Sequence, residues 1–290
     1  MNVLIKSLPL FILLSGTAVA DLRIQEVPGL HSIVIFAPHP DDETLMAAGV
    51  IESAVENNIQ VKVVVVTNGD ILGSTYGSIR ENETVRAMEF LGLKEEDVIF
   101  LGYGDKLMTS LLKAKNSSEI FKSHAKNSST YAHRGICQKS YHECWTGNKA
   151  AYTQKNVTDD FQHILQEYKP DAVFTTSRFD NHPDHTAVQA FVEKAITDVS
   201  IADSFFHPKL YEAIVHSPGQ MFWPYLDNDQ IKMPKIFRKD PEIWQKDFLR
   251  FRVLDRRKKL HAINKYHTQM YSPWLRNYAK DFEPFQFFQF

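Results

Sequence analysis

The feature that most limits what this chain can fold into is a tripeptide used twice, His-Pro-Asp at residues 39–41 and again at 182–184. Each copy follows a short apolar segment, Ile33-Val34-Ile35-Phe36 in one case and Ala172-Val173-Phe174-Thr175-Thr176 in the other. Segments of this kind form strands buried on both faces of a parallel sheet. Each copy also precedes a helical pattern: apolar residues recur with helical spacing from Leu45 to Val55, and His185 opens a second such run through Val192. Both copies are therefore strand-to-helix turns, and an open α/β sheet places its ligands at such turns, at the carboxyl ends of the strands. With 12 His and 13 Pro in the chain, one chance copy is expected at roughly a few in a hundred and two at about a thousandth. The repetition is the signal.

His39 and Asp42, three apart across a tight turn, can converge on one ion, and His185 can close the set from the neighbouring strand. Two imidazoles and one carboxylate suit Zn²⁺, and three protein ligands with a free fourth position are the catalytic arrangement. Asp41 and His182 are left beside the metal. The carboxylate is a natural general base, and an imidazolium opposite can stabilise an oxyanion and protonate a leaving amine. Taken singly, each motif would pass as a capped turn, with Asp42 as a helix N-cap and the prolines merely shaping the chain.

These residues resemble the LmbE-like/PIG-L family of zinc-dependent de-N-acetylases, marked by a strand ending in (A/P)HPDDE and a later HPDH, here residues 38–43 and 182–185. The resemblance implies His39, Asp42 and His185 as zinc ligands, Asp41 as general base and His182 as the group facing the tetrahedral intermediate. Residues 80–87 resemble the family's R-x-x-E-x-x-x-A helix, and residues 100–105 its following strand end, which implies Arg80 and Asp105 as substrate contacts. The similarity is close over about residues 31–105 and 157–200. One departure counts against a glycolipid substrate: the branch acting on GlcNAc-phosphatidylinositol usually has a G-x-x-N-H-like second motif, and this chain keeps HPDH.

Strands alternating with helices predict an α/β fold, a Rossmann-like doubly wound, mostly parallel sheet with helices on both faces. One domain is expected over 21–290, with an insertion at about 106–156 and a C-terminal helical and aromatic extension at about 241–290. Further strands are expected at 60–67, 98–101 and 209–216, a Gly/Ser-rich loop at 71–79 and helices at 80–91 and 157–168. A long helix at 241–266 is expected to carry the basic cluster from Arg250 to Lys259, and the tail 282–290 to pack across the fold. The insertion holds Tyr131, His133, Tyr141, His142, Trp145 and Tyr152, which serve either as a sugar-binding lid or as anchors of a long surface loop. His267-Thr268-Gln269 sits where the family often has a Ser-Gln near the pocket, a weak match.

Lys6, the apolar run 8–14 and Ala18-Val19-Ala20 form a secretory signal pattern with cleavage expected after Ala20. The run is too short for a comfortable membrane span, and none is expected in the mature chain. In an exported chain Cys137 and Cys144 are expected to form a disulfide. N-x-S/T sequons begin at Asn82, Asn116, Asn127 and Asn156, and the last three lie in segments expected to be exposed. A net charge of -2 supplies no basic field for nucleic acid.

The reading is a secreted zinc hydrolase that removes the acetyl group from an N-acetylglucosamine-type amino sugar or its conjugate. The partner is a small-molecule or oligosaccharide substrate. A metal-dependent phosphoesterase with the same ligands and a non-catalytic carbohydrate-binding protein are the rivals, and pure binding needs neither Asp41 nor His182.

Overall fold

A computed structural model describes residues 20–217 and 248–290. Most of the expected signal segment, the irregular chain around Trp223 and residues 241–247 of the expected long helix lie outside them. Eight strands among the described residues form one sheet: β1 (Ala20–Leu22), β2 (Ser32–Ala37), β3 (Gln60–Thr67), β4 (Val98–Tyr103), β5 (Ala172–Thr176), β6 (Lys209–Ala213), β7 (Phe248–Arg252) and β8 (Phe282–Gln289). Their order across the sheet is β1-β7-β8-β6-β5-β2-β3-β4. All neighbouring pairs are parallel except β6–β8 and β7–β8, so the sheet is mostly parallel, as expected.

Among the described residues seven helices accompany it: α1 (Asp42–Glu56), α2 (Ser74–Leu91), α3 (Met108–Leu112), α4 (Tyr141–Thr146), α5 (Gln154–Tyr168), α6 (Pro183–Ala202) and α7 (Arg256–Ile263). The pleat of β2 feeds two cores. Ile33, Ile35 and Ala37 pack with α1, α2 and α7, whereas Val34 and Phe36 pack with α5 and α6. Burial on both faces is what the unbroken β-branched runs require. From β2 the chain proceeds through β3 to β4 on one side, and from β5 through β6 on the other. The turns after β2 and β5 therefore flank the point where the winding reverses, and Phe36 pairs with Thr175 there. That is the crevice in which open α/β sheets bind ligands.

Several expected elements differ. The Gly/Ser-rich loop is shorter than expected, because α2 begins at Ser74, after Gly73 at φ +106°. The described part of the expected long helix is not continuous: residues 248–252 are strand β7, and among the described residues of that stretch Arg256–Ile263 is helical, capped by Asp255, whose side chain accepts from the Arg257 and Lys258 amides. The aromatic tail is strand β8, paired on both sides. Arg250 and Arg252 lie over the Phe282 ring rather than on a helix face.

The insertion packs down onto the domain. Tyr141 and Tyr152 are buried in the core. Tyr131 donates to Asp70, and Asp160 engages both His142 and Trp145. These aromatics are anchors. Cys137 and Cys144 are joined in a disulfide. No helix among the described residues is long and apolar enough to cross a membrane.

Candidate metal centre and active site

The turn after β2 runs through Pro38 and Pro40 into α1, and that after β5 enters α6 at Pro183, in the first turn, where a missing N–H costs nothing. Between them His39 Nδ1, Asp42 Oδ2 and His185 Nε2 converge. The two Asp42 distances are each 3.1 Å, and the two imidazole nitrogens are 3.3 Å apart. Ligands about 2.0 Å from a tetrahedral zinc ion stand about 3.3 Å from one another. The three atoms therefore form one face of such a tetrahedron before any ion is added, and all three residues are buried.

The outer contacts fix each imidazole. His185 Nδ1 lies 3.2 Å from Asp180 Oδ2, and the Asp180 carboxylate also accepts from the amides of Val215, His216 and His182. His39 Nε2 is 3.3 Å from Asp184 and 3.4 Å from Asp105. Asp184 is held in turn by the Lys106 and Met108 amides. A carboxylate behind each ligating imidazole fixes its tautomer and raises its basicity. Burial works against a charge on His185, yet Asp42 and Asp180 overcome it and hold its pKa up at about 10. These carboxylates favour positive charge at this point, which a divalent cation supplies.

His182 differs in kind. It is the N-cap of α6, and its Nδ1 accepts from the Asp184 amide at 3.2 Å. Its ring proton must then sit on Nε2, which makes it an N–H donor beside the centre rather than a metal ligand. Burial, reinforced by His39 and His185, pushes its pKa down to about 3. The sequence-based expectation of an imidazolium is replaced by a neutral donor. One atom each from His39, His182 and His185, and one each from Asp42, His185 and His216, also lie within 4.8 Å of one another.

Asp41 occupies the N-cap of α1 at φ 123°, a conformation that L residues rarely adopt. Its amide donates to Glu43 Oε2 at 3.2 Å, and Glu43 is tied to the Tyr266 hydroxyl. Arg80 Nη2 lies 3.3 Å from Asp41 Oδ2. Burial pushes the Asp41 carboxyl up to about 7, while Arg80 pulls the other way. Arg80 also donates to the carbonyls of Pro40 and Gly69. It lines the cavity, but its bonds hold the metal turn. Asp105 faces His39; burial opposes its ionisation, and His39 and Arg80 nevertheless lower its pKa.

His39, Asp41, Asp42, Arg80, Asp105 and His182 line a cavity of about 320 Å³. His216, Gln269 and Trp274 line its walls, and Leu72 and Tyr271, each more than two-thirds exposed, stand at its rim. A larger depression of about 640 Å³, around Asn82, Arg86 and His267, holds none of the paired-motif residues. Thr268 is bound to Glu83 of α2, which carries Gln269 to the cavity wall. Asp180, Asp184, Glu43 and His216 were not singled out by sequence reasoning. Two of these, Glu43 and Asp184, lie inside the motifs; Asp180 lies two residues before the second, and His216 carries no sequence signal.

Solved structures share this fold. The N,N'-diacetylchitobiose deacetylase from Pyrococcus horikoshii aligns over 90% of this chain and 84% of its own at 16% identity, with a TM-score of 0.53. The teicoplanin deacetylase Orf2, in a zinc-inhibited form, aligns over 88% and 97% at 15% identity, also at 0.53. The 4-carboxy-2-hydroxymuconate hydratase GalB from Pseudomonas putida KT2440 aligns over 90% and 96% at 14%, at 0.52, so the architecture alone does not choose a reaction. By sequence, a probable N-acetyl-α-D-glucosaminyl L-malate deacetylase 2 of Bacillus anthracis is 35% identical over 89 residues, 27% of this chain and 38% of that relative's length. Residues 34–196, more than half the chain and spanning both metal turns, match the family described as PIG-L, GlcNAc-PI de-N-acetylase; the chain belongs to that family.

Proposed function

We propose that this protein is a zinc-dependent hydrolase that removes the acetyl group from an N-acetylglucosamine-type sugar or its conjugate. The observation that carries the reading is the triangle of His39 Nδ1, Asp42 Oδ2 and His185 Nε2, with edges of 3.1 to 3.3 Å, flanked by an unligated carboxylate and an imidazole N–H. Family membership and the relatives named for deacetylation support the acyl group and the sugar. Zinc is supported by the donor set of two imidazoles and one carboxylate.

His39, Asp42 and His185 would hold the ion, which would supply Lewis acidity that activates water near neutral pH. Asp41 accepts the proton of the attacking water, and Arg80 holds its carboxylate in place. His182 donates its Nε2–H to the amide oxygen as negative charge develops there. The C–N bond then breaks, and Asp41 returns the proton to the departing nitrogen, giving acetate and the free amine. Export is part of the proposal, supported by the leader-like segment up to Ala20 and by the disulfide.

Acetate release is the test, measured over GlcNAc, di-N-acetylchitobiose, longer chitin fragments and GlcNAc-inositol compounds, with and without chelator. The proposal expects release from at least one of them, abolished by chelator and restored by added zinc. Phosphate release from sugar phosphates without any acetate would replace it with the phosphoesterase reading. Sugar binding with no turnover in the presence of zinc would replace it with the binding protein.

A further inference from the structure

Helix α1 is broken. Ala47 has φ -139° and ψ 16°, so the first turn, which follows Asp41 and begins with Asp42, is a separate piece from the rest of the helix. A buried ion pair fills the break. Lys259 Nζ donates to the Leu45 carbonyl at 2.9 Å, at the end of the first piece. Glu283 accepts from the Gly49 amide at 2.7 Å and the Val50 amide at 2.9 Å, at the start of the second. The ammonium and carboxylate are 2.6 Å apart and almost fully buried. Each charge meets the helix end that its sign favours, cation on carbonyl and anion on amides. Gly49 admits this close approach, since a Cβ there would stand 2.7 Å from a Val253 methyl carbon and 3.2 Å from Glu283 Oε2.

Both residues lie outside the segment 34–196 that carries the family match, on α7 and β8. Tyr266, just beyond α7, adds a second tie to the same turn through Glu43 and Thr44. An unpaired ion so deeply buried would be costly, and a hydrophobic pair of similar volume would serve stability as well or better. What the ion pair does that an apolar pair could not is bond three backbone groups, the Leu45 carbonyl and the Gly49 and Val50 amides, across a helix break and so fix the angle of the first turn.

We propose that Lys259 and Glu283 are positioning residues for the metal centre: through the break in α1 they set where Asp42 Oδ2 and Asp41 point. The proposal rests on the metal-site reading above. Its consequence is that the C-terminal helix and strand are part of the active-site machinery rather than an appendage.

The test is zinc affinity, by competition with a chromophoric chelator, together with the visible spectrum of the cobalt-substituted protein. The variants are the uncharged double variant Lys259→Met/Glu283→Gln and the single variant Glu283→Asp, which keeps the charge but draws the carboxylate back from the amides. Ile164→Ala, a core truncation on α5, which supplies no residue of either metal turn, controls for general destabilisation. Zinc affinity is expected to fall at least tenfold in the double variant and in Glu283→Asp, with a changed cobalt spectrum, while Ile164→Ala melts earlier and binds zinc as the parent does. If either brace variant folds and keeps parental zinc affinity and cobalt spectrum, the positioning role is overturned and the metal site stands. A parent protein that binds neither zinc nor cobalt would overturn the metal site itself, and the brace with it.

Discussion

Asp41 holds a backbone conformation that costs on the order of 1–3 kcal/mol for a residue with a side chain, and the structure keeps it there with bonds from its amide to Glu43 and from Arg80 to its carboxylate. Strain of this kind is retained where it aims a functional group. On the proposed mechanism Asp41→Asn keeps the turn and the three candidate ligands but removes the proton acceptor. It is expected to bind zinc stoichiometrically and to lose about 10²- to 10⁴-fold in kcat with little change in KM; steady-state kinetics with elemental analysis check this. Gly69 is bound to the same arrangement. It has φ +57°, and a Cβ there would fall 2.0 Å from Arg80 Nη1. Gly69→Ala is expected to lower stability by about 2 kcal/mol and to reduce activity by displacing Arg80. Thermal melting and the acetate assay read the two effects separately.

At the scale of elements, the strands that build the crevice were readable because each is an unbroken apolar run, and burial on both faces demands that composition. Helix α2 was expected to start late, since the serines and glycines of residues 73–79 have weak helix preference. Its opening turn is set instead by packing: a Cβ on Gly77 would meet the Tyr131 hydroxyl at 2.6 Å and Asp70 Cβ at 3.0 Å. The region 248–263 misled for a different reason. Its arginines and lysines are good helix formers, but Arg250 and Arg252 stack on Phe282 of β8, and pairing with that strand overrides local preference. The insertion gives a prediction of its own. Its disulfide closes a loop of 7 residues' separation, for which the loop-entropy estimate is about 2.5 kcal/mol. Replacing Cys137 and Cys144 by Ser is expected to lower unfolding stability by about that amount. Zinc affinity should stay at the parental value, because the bonds that hold the candidate ligands involve no residue of this loop. Denaturant unfolding and the chelator competition measure the two.

Across the whole molecule, the convergence of His39, Asp42 and His185 was legible because two copies of one motif mark two strand ends, and the winding reverses between them. The carboxylates behind the imidazoles were legible only in part: Asp184 is inside a motif, but Asp180 gains its meaning from amides of residues 182, 215 and 216. His216, Trp274 and the Lys259–Glu283 pair come from a part of the chain where no motif stands. Only the folded sheet, with β8 inserted between β6 and β7, brings His216 and Trp274 to the cavity and the ion pair to helix α1.

The central claim is that one ion is gripped by both turns together, and the zinc content of purified His39→Ala and His185→Ala, each beside the parent, tests it most directly. The account predicts one zinc per chain in the parent and far less than one in each variant, with both variants still folded by circular dichroism. Stoichiometric zinc retained in either folded variant would contradict it.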